Sequence, residues 1–441
     1  MEKYDVIVVG AGNGGLSAAA YLASEGKKVL VLEKHNLPGG CATSFKRGAY
    51  EFESALHELC QMGDGKEGRP RGAVRELLED KYGLDVDWRP VDEAFRAIAT
   101  DENGFNVTMP ASVQGFIDEM ERQVPGSRKP MTDIMEMARM VGDGVDWLAK
   151  HNNEPEGLAK VEMLFKYGDL MKLVPVSCDK ACDMIGLPEK AKHIFESYWT
   201  YISADSTNIS FAVYAFMTYV YRIRDMGGDI WYNTEVTGID VKAGKVCGVK
   251  LASGEYIPCE WVMSNLMPSV VFDRMLDKDK VPERNRRMLN AQKLAQAPLT
   301  VYMGLDASAE ELGLEGYDTF LRHDPDNHHQ YLSDSSIETH RDFSVTILDN
   351  AIHGVSGEHR CMIEFAKFYT GDPFADVKEE DYFKVKDRIA RECVERYESV
   401  TGYNIHDHIE EIVIATPVTW ARYLGTPRGD VYGYEPANWD G

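Results

Sequence analysis

The chain reads as an α/β protein in which a parallel βαβ sheet is interleaved with a second, α+β unit. Three observations predict this. The first forty residues run strand, glycine turn, helix, strand. A helix-rich stretch over 113–225 is followed by a glycine-punctuated β-meander over 236–262. No low-complexity segment or flexible linker separates the parts, which favours units woven from several chain segments over units strung in a line.

Tyr4–Val9 (YDVIVV) is a short apolar run of the kind buried in a parallel sheet. It runs into Gly10-Ala11-Gly12-Asn13-Gly14-Gly15. Leu16–Glu25 reads as helix and stops at Gly26. Lys28–Leu32 is a second strand and ends at Glu33. Order and spacing match the GxGxxG unit. In that unit Gly10 makes the tight turn, Gly12 lets the backbone approach a pyrophosphate, and Gly15 lets the helix pack on the strand. The helix N-terminus, at Asn13 and Gly14, offers free N–H groups. Glu33, 18 residues after Gly15, can accept from a ribose diol. The spacing predicts an adenine dinucleotide.

The next loop, Lys34-His35-Asn36-Leu37-Pro38-Gly39-Gly40-Cys41-Ala42-Thr43-Ser44, helps decide which one. Adjacent Gly39 and Gly40 permit a second close backbone approach to an extended ligand. A nicotinamide enzyme has no need of that loop, whereas FAD runs past it towards its ring. An ordinary Pro-Gly-Gly turn is the bland alternative. Beside the first motif, the loop favours FAD.

Further on, Ser44–Leu59 alternates and then turns helical, Met62–Gly72 reads as a charged loop, and Ala73–Tyr82 as a short amphipathic helix. Arg96–Thr108 is an expected hairpin turning at Asp101–Gly104. Val113–Val124 and Met131–His151 carry helical spacing on either side of Pro125-Gly126. Phe211–Tyr221 is apolar nearly all round, as a buried helix would be. Gly227–Val236 reads as one strand, and Val241–Leu251 and Glu255–Val262 complete the meander. Lys293–Leu305, Val345–Asn350 and Arg360–Lys367 are expected strands, and Asp381–Gly402 a long helix.

A length of 441 residues suits two or three domains. No run approaches 18 apolar residues, so no membrane-spanning helix is expected. Met1-Glu2-Lys3-Tyr4-Asp5 lacks the pattern of a secretory signal, so the expected location is cytoplasmic. A net charge of −24 argues against nucleic acid as partner and weakens the case for an anionic membrane, while leaving room for peripheral contact. Eight scattered cysteines without a CxxC pair read as reduced thiols. Cys178 and Cys182 fall four apart on an expected helix. His323, His328 and His329 lack ordered ligand spacing, and no metal site is expected.

The glycine start, the Gly39–Phe45 loop and the meander through Val236, Gly248 and Gly254 resemble a flavin amine oxidase or phytoene desaturase. Met303–Asp306, Ala415–Tyr423, Gly425 and Tyr432–Tyr434 resemble the carotenoid isomerase and retinol saturase branch. The resemblance spans nearly the whole chain. It implies a Rossmann-like FAD-binding domain of the glutathione reductase type, formed by 1–80, 205–295 and 410–441. It implies an α+β substrate domain formed by 81–204 and 296–409. FAD would be held by Gly10, Gly12, Asn13, Gly14 and Gly15, with Glu33 and Lys34 near the adenosine. Gly39, Gly40, Cys41, Ala42, Thr43 and Ser44 would pass the chain to the ring, and the Val236 backbone would meet adenine. Two departures stand out. Asn208–Ala212 lacks the glycines that the family carries near the flavin. The chain also stops at Trp439-Asp440-Gly441, before the family's closing segment, so truncation is expected.

The resemblance further implies desaturation, saturation or isomerisation of an apolar, isoprenoid or carotenoid-like molecule, with hydride moving at flavin N5. His57 follows the flavin loop and is the first candidate proton partner, against the alternative of a structural histidine. Tyr50, Tyr201 and Tyr423 are weaker candidates. Two other function classes stay open: an amine oxidase-like enzyme acting on a small polar substrate, and a non-enzymatic module resembling the Rab GDP-dissociation inhibitors.

Overall fold

The computed structural model describes residues 4–54, 72, 75–81, 83–86, 88, 89, 91–151, 156–172, 175–219, 229–231 and 235–436. In chain order the first elements are β1 (Tyr4–Val9), α1 (Asn13–Ser24), β2 (Val29–Leu32), β3 (Phe45–Arg47) and β4 (Tyr50–Phe52). Then come β5 (Glu93–Ala99), β6 (Phe105–Pro110), α2 (Val113–Gln123), α3 (Arg128–Lys150), α4 (Leu158–Met171), α5 (Cys178–Ile185), α6 (Glu189–Phe195) and α7 (Phe211–Tyr219). The second half carries β7 (Asp229–Trp231), β8 (Val236–Lys242), β9 (Lys245–Leu251), β10 (Tyr256–Ser264), α8 (Glu283–Ala291), β11 (Ala297–Leu305) and β12 (Asp318–Arg322). It ends with α9 (Asn327–Ser333), β13 (Phe343–Thr346), β14 (Cys361–Tyr369), α10 (Tyr382–Thr401), β15 (Ile409–Ala415) and α11 (Pro417–Leu424).

The chain divides into two units. The first gathers Met1–Trp88, Tyr221–Leu294 and Trp420–Gly433. Its six-stranded sheet has the order β7-β2-β1-β10-β9-β8. β1 pairs in parallel with both β2 and β10, so its backbone groups are spent on both edges. Its residues alternate between two cores. Val6 and Val8 pack with Ala19 of α1, while Ile7 and Val9 pack with Leu30, Val249 and Ile257 on the other face. Burial of both faces explains why YDVIVV is apolar throughout instead of alternating.

The second unit gathers Arg89–Val220, Ala295–Thr419 and Tyr434–Gly441. Its seven-stranded sheet has the order β15-β11-β14-β13-β12-β5-β6. One face packs Phe95, Ala97, Val107 and Phe320 against residues of α2, α3, α5, α6 and α7. The other packs Leu299, Val301, Val345 and Phe365 against Ile389, Cys393 and Tyr397 of α10. Strands β11 and β14 pair over nine registered residues, which makes them the spine of this sheet.

Four expectations need correction. Gly227–Val236 does not form one strand: Asp229–Trp231 pairs with β2, while Val236 opens β8 at the opposite edge of the same sheet. Val345–Asn350 is strand only to Thr346. Leu348–Ala351 turns helical, because the Asn350 amide is drawn to the carbonyls of Leu314 and Gly316, 3.2 and 2.8 Å away. Within Phe211–Tyr221, Phe211 and Tyr214 are buried but Val213 is exposed, so this helix has a surface side. Of the expected helix Ala73–Tyr82, the described part is a π-helical turn over Glu76–Lys81. Met62–Arg71 lies outside the described residues.

Candidate functional site: a glycine-lined cradle at the tip of the parallel sheet

β1 delivers the chain to Gly10, whose φ of +95° is a backbone conformation that side chains disfavour. Gly12 then caps α1 without a side-chain hydrogen bond, and the first turn carries no acidic residue. The leading N–H groups of α1 thus have no helical acceptor and no side-chain cap. Gly15 sets the helix on the strand: a Cβ there would fall 2.0 Å from the Gly10 carbonyl oxygen. A Cβ at Gly12 would meet Asn265 Nδ2 at 2.8 Å, and one at Gly14 would meet Asn265 Oδ1 at 2.7 Å.

The second loop lies against the first. Gly39 N–H donates to the Ala11 carbonyl at 2.8 Å, and Gly12 and Gly39 form an isolated parallel bridge. A Cβ at Gly40 would sit 3.2 Å from the Gly12 Cα. Gly39 has φ +110°, and a Cβ there would lie 2.8 Å from Thr43 Oγ1. Thr43 in turn donates to the Pro38 carbonyl at 2.7 Å, closing the turn over Gly40–Ala42. Ser44 donates to Glu51 Oε1 at 3.1 Å, tying the loop to the β3–β4 hairpin.

Glu33 is buried, and both its carboxylate oxygens are in use. Oε2 accepts from Ala11 N–H at 2.6 Å and Oε1 from His35 N–H at 2.8 Å. The acid expected to meet a ribose therefore also clamps the glycine loop to the loop after β2. Each oxygen keeps a second lone-pair direction for a diol. Lys34 is exposed, and its Nζ lies 3.1 Å from where a Gly425 Cβ would be. Val236 is buried and pairs with Leu251 at the outer edge of the sheet, two strands from β10.

Cys41 is the middle residue of the Gly40–Ala42 turn. Burial, with the Asp430 carboxylate second, pushes its thiol up to about 11. Burial likewise raises Asp430. The neighbouring C-terminal stretch holds several buried polar atoms without a hydrogen-bond partner among the described residues: Trp420 Nε1, Thr426 Oγ1, Arg428 Nε and Asp430 Oδ2.

These features fit a dinucleotide. The glycines clear side chains from a cradle lined by backbone N–H groups, and orphaned donors and acceptors stand within the same unit. Two participants escaped the sequence reading. Asn265 is the first residue beyond β10, at the carboxyl end of a strand that neighbours β1. Ligands of open α/β sheets bind at such ends, so the rule pointed there once the pairing of β10 was known. Asp430 gave no signal, because only folding brings it to Cys41.

The proton candidates fare differently. His57 lies outside the described residues. Tyr201, in the second unit, donates to Asp318 Oδ1 at 2.9 Å. Tyr50 is buried against Phe52, while Tyr423 is 53% exposed and meets His35 edge-on. His328 and His329, in the first turn of α9, face Asp205 and Asp324 at 2.7 and 3.2 Å, in ion-pair geometry with different partners.

A sequence profile described as an NAD(P)-binding Rossmann-like domain matches residues 8–70. The all-trans-retinol 13,14-reductase of Danio rerio is 23% identical over 98% of this chain and 78% of its own length. The prolycopene isomerase of Daucus carota is 24% identical over 99% of this chain and 72% of its own. Over nearly its whole length the chain is thus similar to retinol and carotenoid oxidoreductases. It spans 58% of the length of the Rattus norvegicus retinol reductase. Among solved structures, a fatty acid isomerase from P. acnes superposes with a TM-score of 0.56 at 13% identity, over 93% of this chain and 85% of its own. Putrescine oxidase does so with a TM-score of 0.54 at 15% identity, over 99% and 95%. These two likenesses show the fold. No helix among the described residues is long and apolar enough to cross a membrane.

Proposed function

We propose that the protein is an FAD-dependent oxidoreductase acting on a C–C or C=C bond of an apolar, isoprenoid-like molecule. The observation that carries the cofactor is the contact of two glycine loops, Gly10–Gly15 and Gly39–Gly40, which clears side chains along an extended path. A nicotinamide dinucleotide needs only the first loop; the second suits the longer FAD. The apolar substrate rests on the relatives, a retinol reductase and a prolycopene isomerase.

In this reading Gly10, Gly12, Asn13, Gly14 and Gly15 hold the pyrophosphate through backbone N–H groups, with the Asn265 amide beside it. Glu33 takes the ribose, Lys34 stands near it, and Val236 meets the adenine. Gly39, Gly40, Cys41, Ala42, Thr43 and Ser44 line the path to the ring. Bound flavin supplies a hydride acceptor or donor. The raised Cys41 thiol stays protonated at neutral pH, so it packs against the cofactor without adding charge.

The test is the visible spectrum of the purified protein, with the chromophore then released by heat and identified. Flavin bands and released FAD are expected. Turnover of apolar polyenes, and none of small amines, is expected next. Loss of turnover on polyenes with turnover on amines would overturn the substrate assignment while leaving the cofactor intact.

A further inference from the structure

We propose that Cys178, Cys182 and Glu196 form a buried site for one thiophilic closed-shell metal ion, Cu+ or Zn2+. The site lies in the core of the second unit and is independent of the dinucleotide cradle.

Ser177 caps α5, which places Cys178 in the first turn and Cys182 one turn later on the same face. The chain then passes through α6 into a 3-10 turn that begins at Glu196. Both thiols and the carboxylate are buried, and one donor atom from each lies within 4.8 Å of the other two.

Two buried cysteines alone are ordinary small hydrophobes. The carboxylate is what that reading leaves unexplained. Glu196 is 1% exposed, and its Oε1 has no hydrogen-bond partner among the described residues. Its other oxygen is fixed: Asn327 Nδ2 donates to Oε2 at 2.9 Å, and Arg322 Nη2 donates to Asn327 Oδ1 at 2.5 Å. A chain of buried hydrogen bonds thus orients the carboxylate, as outer partners orient metal ligands. The nearby Tyr214 hydroxyl donates to the Phe195 carbonyl at 2.8 Å.

Two sulfurs and one oxygen select a soft ion. Thiolate favours Cu+ and Zn2+ over Mg2+ or Ca2+. Burial pushes Glu196 up to about 8, so at neutral pH binding breaks two S–H bonds and the Glu196 O–H, forms two metal–sulfur bonds and one metal–oxygen bond, and passes three protons to solvent. The Glu196 oxygen adds a third ligand, and no oxidation state changes. The bound ion would pin α5 to the turn at Glu196.

The experiment uses the full chain, stripped by chelator and titrated anaerobically with Cu+ or, separately, Zn2+ against a competing chelator. One equivalent of one of the ions is expected to bind, with two sulfur neighbours in its X-ray absorption spectrum and about three protons released at neutral pH. Affinity should fall by at least about 100-fold in Cys182→Ser and by about 10-fold in Asn327→Ala, which touches the ion only through Glu196. Each variant is checked by far-UV circular dichroism. In the unaltered chain the thermal midpoint should rise with free ion, a readout that holds even where a variant fails to fold. Three results would overturn the proposal: no binding against the chelator, fewer than two sulfur neighbours, or unchanged binding in a folded Cys182→Ser protein, which would put the ion on other thiols.

Discussion

The two units handle polarity in opposite ways. In the six-stranded unit the cradle is made of backbone: glycines at 10, 12, 14, 15, 39 and 40 bare the N–H groups, and the buried Glu33 carboxylate ties the loops together. In the seven-stranded unit the polarity is on side chains sunk into the core. Arg322 is 1% exposed. Its Nε donates to Gln330 Oε1 at 2.9 Å, Nη1 to Ser197 and the His193 carbonyl at 3.0 and 3.2 Å, and Nη2 to Asn327 and the Pro325 carbonyl at 2.5 and 2.6 Å. Around it a cavity of about 10 Å³ is lined by Thr200, Asp334, His340 and Asp342, among others. Burial pushes Asp334 well up and His340 well down, so it disfavours the charged form of each member of this pair, 3.2 Å apart. Lys367 donates to the carbonyls of His340 and Asp342 at 3.1 and 3.3 Å.

The contrast teaches where each unit is vulnerable. A backbone cradle tolerates little added volume but depends on few side chains. A buried side-chain network tolerates no missing member, because each loss strands several partners in a dry interior.

The largest effect should come from Arg322→Met. Removing the guanidinium takes a donor from Asn327 Oδ1 and the Pro325 carbonyl and one of the three cations, with Lys367 and Arg396, that act on Asp342, at a cost of about 3–5 kcal/mol. Denaturant unfolding should show the loss with the flavin cradle untouched. A loss below about 1 kcal/mol would mean that the network contributes no net stability over an apolar replacement.

Gly15→Ala comes next. Its Cβ would stand 2.0 Å from the Gly10 carbonyl, so backbone must move, at about 1–3 kcal/mol. Flavin content should fall with the unfolding midpoint, because the same shift opens the loop.

Gly12→Ala separates the two quantities. Its clash, at 2.8 Å, is with the tip of the Asn265 side chain, which can turn away. Stability should change by less than about 1 kcal/mol, while cofactor affinity falls by about tenfold or more as the methyl enters the cradle. Equal losses in both would contradict a cradle built for a ligand.

A smaller effect concerns pH. The folded state keeps the Cys41 proton up to about 11, whereas an ordinary thiol loses it near 9.0. This thiol's contribution to stability is therefore intact below pH 9.0 and declines up to about pH 11. Asp430→Asn removes the second cause of the shift, and alkylation of Cys41 at pH 9, followed by mass spectrometry, should become a few-fold faster. Unchanged reactivity would leave burial as the sole cause. The smallest effect should follow Lys46→Ala, which removes an exposed ion pair with Glu51 at 2.9 Å, and its unfolding midpoint should match that of the parent.

Much of the cradle was legible because its determinants are local. Strand, glycine turn and helix follow each other within some twenty residues, and two of the glycines answer a steric demand from a near neighbour in sequence. Gly15 meets Gly10, and Gly39 meets Thr43. The meander over 236–262 was legible for the same reason. What stayed hidden depends on pairing across long separations. β10 joins β1 across some 250 residues, which brings Asn265 to the loop. Residues 229–236 split between opposite sheet edges, a choice that hydrogen-bond partners make and side-chain patterns do not.

The sequence by itself determined the α/β class, the position of the glycine loops and the acid that follows β2, because backbone sterics and helix termini act over a few residues. Tertiary structure alone decided that Glu33 clamps Ala11, that Asp430 faces Cys41, and that Arg322, Asn327 and Glu196 form one buried chain of hydrogen bonds. Those contacts join residues whose charge or polarity marked them for the surface. They are stable inside only because folding supplies partners from distant segments while it removes water.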